Sequence, residues 1–302
     1  MDTTLKIRIG YGLGPLAARL DRQLLGHIVD TLEALRFDSL WVSERVNNET
    51  LDPMVVMTFA IARTERLKVG PAVMVVPGRN PVLLAKSLAS LDHLSGGRVL
   101  PAFGLGIANT AEHQAFGVEK RERSAWFEEA LPLLRRLWSG ESITHRGERF
   151  QLDDVRVLPT PAQDPFEVWM GGASEPELRR AGRLSDGWLP SFSPPAAVES
   201  GIAIVNQAAA DAGREIDDEH FGVLIPYLHG EVPEQLNTLV RTRHPDAALD
   251  DIVARSPADL VRLIGDHVSI GASKFVVFGL DAPSDWDHHL GELAETALPL
   301  QN

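Results

Sequence analysis

Short apolar runs alternate with capped helical patterns along this chain, and that alternation restricts the fold more than any single residue does. Lys6–Gly12 sets Ile7 and Ile9 among charged residues, as a strand does. A helical pattern follows, with Leu25, Ile28, Leu32 and Leu35 on one face. Asp38–Glu44 is the next short apolar run. Asp52-Pro53 reads as an N-cap and first-turn proline, and Asn80-Pro81 and Ser256-Pro257 repeat the device. The valine-rich stretch Arg66–Pro77 reads as a strand buried on both faces. Gly96-Gly97 ends the helix that starts at Asn80, because glycine takes the left-handed conformation at low cost. Residues 98–106, 166–172, 186–192, 221–230 and 274–280 read as five further strands.

Eight strands, each but the last followed by helical sequence, match the number and size of a (β/α)8 barrel, an α/β TIM fold. A doubly wound parallel sheet is the structural alternative. The helix Ser124–Trp138 should kink at Pro132. After this fourth helix, Ile143–Val157 reads as a hairpin insertion turning at Arg146-Gly147. No linker or composition break divides residues 1–302, so one barrel domain with insertion loops is expected.

Composition excludes several classes. Cysteine is absent, so disulfides, Cys-ligated zinc and thiol catalysis are ruled out. Net charge is −13 with no basic stripe, which argues against nucleic acid as a partner. No apolar run approaches the roughly 18 residues that span a bilayer. The opening residues MDTTLKIRIG lack a basic-then-apolar leader, so a cytoplasmic protein is expected.

In such a barrel the chemistry lies where strands end. Gly12 and Gly14 follow the first strand, Ser43, Glu44 and Arg45 the second, and Gly104, Gly106 and Asn109 the fourth. Glycines at these ends let a planar ligand approach the backbone. GLGIAN does not complete a dinucleotide fingerprint, because Asn occupies position 109. In WMGGASEPELRRA a strand runs through Gly171 and Gly172 into a helix start at Ala173 and Ser174. Free N–H groups of Gly172, Ala173 and Ser174 would make an anion site suited to phosphate; an ordinary capped turn is the alternative. Glu44-Arg45 reads either as a catalytic pair or as a rim ion pair, and Tyr227 with His229 as a proton-donor pair or as wall residues. Asp281–His289 clusters acids and imidazoles, which a solvated helix start explains better than a metal site. No GxSxG elbow, Walker loop or HExxH pair occurs, and no metal is expected.

SLASLDHLSGGRVLPAFGLG and VWMGGASEPELRRAGRLSDGWLP resemble two signatures of the bacterial-luciferase-like flavin and deazaflavin oxidoreductases. FDSLWVSER, GRNPVLLAKSLASLD and LLRRLWSGE fit as well, and the resemblance runs from the first strand to about Ser193. It implies a barrel that binds F420 or, alternatively, reduced FMN, acts on a small organic molecule and forms a homodimer. It places the cofactor phosphate on Gly171, Gly172, Ala173 and Ser174, and the ring against Ala72, Val73 and Met74 with a non-prolyl cis bond at Ala72–Val73. Gly12, Gly106 and Asn109 complete the cofactor set, and Glu44 and Arg45 are the catalytic candidates.

The departures from the family pattern narrow the activity. Many F420 members carry Asp-His where this chain has Glu44-Arg45. The sugar-phosphate dehydrogenases place an acid where Ile107 stands and an aromatic residue where Glu49 stands. Sugar oxidation is therefore not expected. Three readings follow: an F420-dependent hydride-transferring oxidoreductase, an FMN-dependent monooxygenase, and a catalytically silent cofactor-binding relative.

Overall fold

The computed structural model describes residues 5–107 and 109–302. Its strands and helices alternate: β1 (Arg8–Gly12), α1 (Arg22–Leu35), β2 (Ser39–Val42), α2 (Pro53–Ile61), β3 (Lys68–Pro71), β4 (Met74–Val75), α3 (Pro81–Ser95) and β5 (Ala102–Gly104). Then come α4 (Thr110–Phe116), α5 (Arg123–Leu137), the hairpin β6 (Ser142–Arg146) and β7 (Gln151–Arg156), β8 (Trp169–Met170), α6 (Glu175–Leu184) and β9 (Gly187–Trp188). The chain ends with α7 (Pro195–Asp211), β10 (Gly222–Tyr227), α8 (Glu234–Arg243), α9 (Pro257–Ser269), β11 (Lys274–Gly279) and α10 (Trp286–Ala297).

All pairings except the hairpin's are parallel, in the orders β10-β11-β1-β2-β3 and β4-β5-β8-β9. Parallel bridges Val69–Val99 on one side, and Trp188–Phe221 and Ser191–Leu224 on the other, join the two sheets edge to edge. Between β3 and β4 the Ala72–Val73 peptide is cis, at the bond the resemblance singles out. The fold is an α/β barrel of parallel strands with crossover helices.

The helix caps form as the sequence predicts. Asp52 accepts from Val55 N–H, Asn80 from Val82 and Leu83 N–H, and Ser256 from Asp259 N–H. Gly96 ends α3 at φ +68°, in the left-handed region. Two helices lie beyond the sequence reading, α4 and α8, while α10 continues the helix start read at Asp281–His289. The last strand is thus followed by a helix, and the hairpin follows the fifth helix rather than the fourth.

Side-chain parity separates two cores. Ile9, Tyr11, Leu40, Val42, Phe103, Met170, Val277 and their like point outward and pack beneath the helices. Trp41, Ala102, Trp169, Leu189, Leu224, Val276 and Phe278 point inward and fill the barrel. Glycine makes room for the two tryptophans. A Cβ on Gly70 would lie 2.7 Å from the Trp41 ring, and one on Gly187 2.6 Å from Trp169. This aromatic floor separates the cavity at the C-terminal strand ends from a second cavity of about 240 Å3 at the N-terminal ends. Around that second cavity Asp38 lies between Arg8 and Lys68, and Lys274 beside Glu219.

Candidate active site

Two adjoining cavities of about 300 and 290 Å3 open at the C-terminal ends of the strands. Ser43, Arg45, Ala72, Ser191, Phe192 and Leu224 line both. The first adds Glu44, Val73, Gly106, Ile107, Gly171, Gly172 and Glu177, and the second adds Gly12, Trp41 and Phe278. Each is of a size, at the small end of roughly 300–1,000 Å3, that small-molecule sites use.

The glycines along the first cavity serve different ends. A Cβ on Gly104 would meet Val73 Cγ2 at 2.5 Å, and one on Gly171 would meet Val73 Cγ1 at 2.9 Å. These two positions therefore make space for Val73, which itself faces the cavity. Gly106 has φ +79°, which side chains with a Cβ rarely adopt. Together these positions leave a wall of bare backbone and one branched side chain, where a flat ligand could lie.

Glu44 is buried and its partner is Arg79, not Arg45. Its carboxylate accepts the Val75 N–H at 2.6 Å and forms an ion pair with the Arg79 guanidinium. Arg79 in turn donates from Nε to the Val75 carbonyl at 2.9 Å. Burial pushes the Glu44 carboxyl above its ordinary range, against the pull of Arg79 and the Val75 N–H. Arg45 is exposed at the mouth, and among the described residues its side chain makes only a 3.5 Å contact with the Glu44 carbonyl. The expected Glu44-Arg45 unit is thus two separate elements, a buried ion-paired acid and a solvent-facing cation.

In the turn after β8 the amides of Ala173 and Ser174 are taken, as in the capped-turn alternative. Glu177 Oε2 accepts from Ala173 N–H at 3.1 Å, Ser174 N–H at 3.0 Å and the Ser174 hydroxyl at 2.8 Å. The Ser174-x-x-Glu177 spacing is the capping-box pattern and is the signal in the sequence that finds this contact. Behind the cavity wall lies Arg123, 9% exposed. Its Nη1 donates to the carbonyls of Leu105, Gly106 and Ile107, while its Nε has no partner among the described residues.

Other candidates fall elsewhere. Met74 is fully buried in the core beneath the helices, because it has the opposite parity to Val73. Asn109 caps α4, its Oδ1 accepting from Ala111 N–H at 2.9 Å and Glu112 N–H at 3.2 Å, and it lines neither cavity. Tyr227 also points outward and is a core residue. His229 Nε2 lies 2.9 Å from His289 Nδ1, and Asp281 accepts the N–H groups of His229 and Gly230. No metal-binding group of His and acidic residues occurs among the described residues. Sequence reasoning missed Leu239 and Arg243, which α8 brings to the first cavity.

The luciferase-like monooxygenase family profile matches residues 11–263. The chain belongs to that family. The match reaches well past Ser193, where the resemblance in sequence fades. The F420-dependent glucose-6-phosphate dehydrogenase of Kineococcus radiotolerans is 32% identical over 162 residues, covering 50% of this chain and 47% of that protein. The chain spans about half the length of the curated relatives it matches. Among solved structures, an F420-dependent secondary alcohol dehydrogenase bound to an F420-acetone adduct superposes with a TM-score of 0.79 at 19% identity, over 99% of this chain and 100% of that one. The oxygenating constituent of 3,6-diketocamphane monooxygenase from Pseudomonas putida, bound to FMN, has a TM-score of 0.75 at 19% identity, over 97% of this chain and 98% of that one. At such identities the structural likeness establishes the luciferase-like fold alone. No helix among the described residues is long and apolar enough to cross a membrane.

Proposed function

We propose that this luciferase-like chain is an F420-dependent oxidoreductase acting on a small organic substrate. The observation that carries this reading is one cavity that joins the backbone wall at Gly106 and Val73 to Gly171, Gly172 and Glu177 at the start of α6. The wall suits a flat ring. The turn, backed by the buried charge of Arg123, suits a phosphate. When bound, the deazaflavin supplies hydride transfer, which the side chains here cannot perform.

The protein's own residues would then divide the remaining work. Val73 and Gly106 would face the ring, and Trp41 and Phe278 would close the barrel beneath the substrate side. Glu44, neutralised by Arg79, would hold the wall in shape from behind Val75. Arg45 and Arg243 form no ion pair among the described residues, and both line the mouth where an acidic cofactor tail would leave the barrel. The likeness to the Kineococcus enzyme supports F420 but not its sugar substrate, since Ile107 lines the cavity where an acid would be needed.

An FMN-dependent monooxygenase is the second reading, favoured by the family's description and compatible with the same phosphate turn. Titrating the apo-protein with F420 and with FMN separates the two. F420 should bind more tightly and be turned over with an organic donor or acceptor. Tight FMN binding with no detectable F420 binding would overturn the F420 assignment.

A further inference from the structure

We propose that Glu177 is a tethered occupant of the anion cradle at the start of α6 and sets how strongly the site holds a phosphate-bearing ligand. This rests on the cofactor reading above. The Glu177 carboxylate lines the same cavity as Gly106 and Gly172. One of its oxygens takes three donors at once: the amides of Ala173 and Ser174 and the Ser174 hydroxyl. These are the groups that a helix N-terminus would otherwise offer to a ligand anion.

Arg123 adds positive charge behind the wall beside this turn. Arg123 is nine-tenths buried behind Gly106, and one of its nitrogens has no partner among the described residues. Its charge is close enough to feel Glu177, which opposes the cost of its burial. A buried guanidinium bonded only to carbonyls provides positive potential that the cavity side can use.

A phosphate and the Glu177 carboxylate cannot share the cradle, because like charges a few ångströms apart repel. Binding must therefore move Glu177 away from Ala173 and Ser174, and the side chain has room to swing toward solvent because it is only partly buried. Breaking those capping hydrogen bonds costs free energy, which weakens the binding of every phosphate ligand and of no ligand without a phosphate. Glutamine at this position keeps a capping oxygen but removes the charge. A purely structural cap thus predicts unchanged or weaker phosphate binding for Glu177→Gln, whereas an anion competitor predicts tighter binding.

The test measures the binding of FMN and riboflavin, and of F420 and its phosphate-free deazaflavin core, to wild type, Glu177→Gln and Glu177→Ala. Thermal melts confirm that each variant folds. We expect Glu177→Gln to tighten FMN and F420 roughly tenfold while leaving the two phosphate-free compounds unchanged. Unchanged or weaker binding of the phosphate-bearing forms would overturn the proposal while leaving the cofactor reading in place. Equal affinity of FMN and riboflavin in all three proteins would likewise overturn it, by showing that the turn holds no phosphate. Failure of all four compounds to bind any of the proteins would instead remove the cofactor reading on which it rests.

Discussion

The Glu44 carboxylate and the Arg79 guanidinium meet as an ion pair in the wall of the barrel mouth, although 35 residues separate them in the chain. Between them they hold both backbone groups of Val75, Glu44 taking its N–H and Arg79 its carbonyl. The loop after β2 is thereby tied to β4 at the edge of the candidate cavity.

Glu44→Ala should destabilise the fold by about 2 kcal/mol, because it leaves both Arg79 and the buried Val75 N–H without their partner. Burial raises the Glu44 carboxyl, so the folded state keeps that proton to higher pH than the unfolded chain. This contribution therefore falls as pH rises through the carboxylate range, and the variant should lack it. Urea denaturation across that range checks both points; equal midpoints for wild type and variant would show the pair to be irrelevant to stability.

Gly104→Ala should destabilise by about 1–3 kcal/mol, since its Cβ would collide with Val73 in an interior packed to solid density. Val73→Ala in the same chain should recover part of that loss. A double-mutant cycle measures the coupling, and strict additivity would show that Gly104 is not there to accommodate Val73.

Acid should unfold this protein through two buried imidazoles. Burial pushes His267 and His289 down to about 4. In the unfolded chain each would take its proton near the ordinary histidine value of about 6.5. The unfolded state then binds more protons between these limits, so stability drops as pH falls from about 6.5 toward 4, by on the order of 3 kcal/mol for each group at the low end. His267→Asn, if it folds, should flatten that slope. A melting temperature constant from pH 7 to pH 5 would contradict the expectation.

F420 affinity should fall as salt rises, because an acidic tail at the mouth would lie against exposed cations screened over about 10 Å at 0.1 M. Arg45→Gln and Arg243→Gln should each weaken F420 several-fold at low salt and reduce the salt dependence. FMN, which lacks the long acidic tail, should respond less. Isothermal titration at two ionic strengths gives the comparison, and a salt-independent affinity would place the tail elsewhere.

The legible parts of this protein are those governed by neighbours in the chain. Asp52, Asn80 and Ser256 cap their helices in the structure as their spacing to the first turn predicts, because the donor and acceptor lie within three residues. Gly96 stops α3 for an equally local reason. The valine-rich runs and their regular return implied parallel strands with crossover helices, and hence the barrel. The short α4 and α8 escaped because a seven- or ten-residue helix carries little periodic signal, and α8 packs Leu236 and Val240 into a small core of its own beside Leu228, Ile252 and Val253.

What depends on distance in the chain had to await the tertiary structure. Sequence placed Val73 and Met74 together, but in a strand adjacent side chains face opposite ways, so one lines the cavity and the other lies under the helices. Sequence set Glu44 beside Arg45, yet the partner that neutralises a buried acid is whichever cation the fold brings within reach, and here that is Arg79. The turn at Gly172–Ser174 reads from its residues as an anion site or as a capped turn. Glu177 accepts the amides of Ala173 and Ser174 through the local Ser174-x-x-Glu177 spacing, but only the fold brings it to one cavity with Val73 and Gly106, because those residues come from strands far away in the chain.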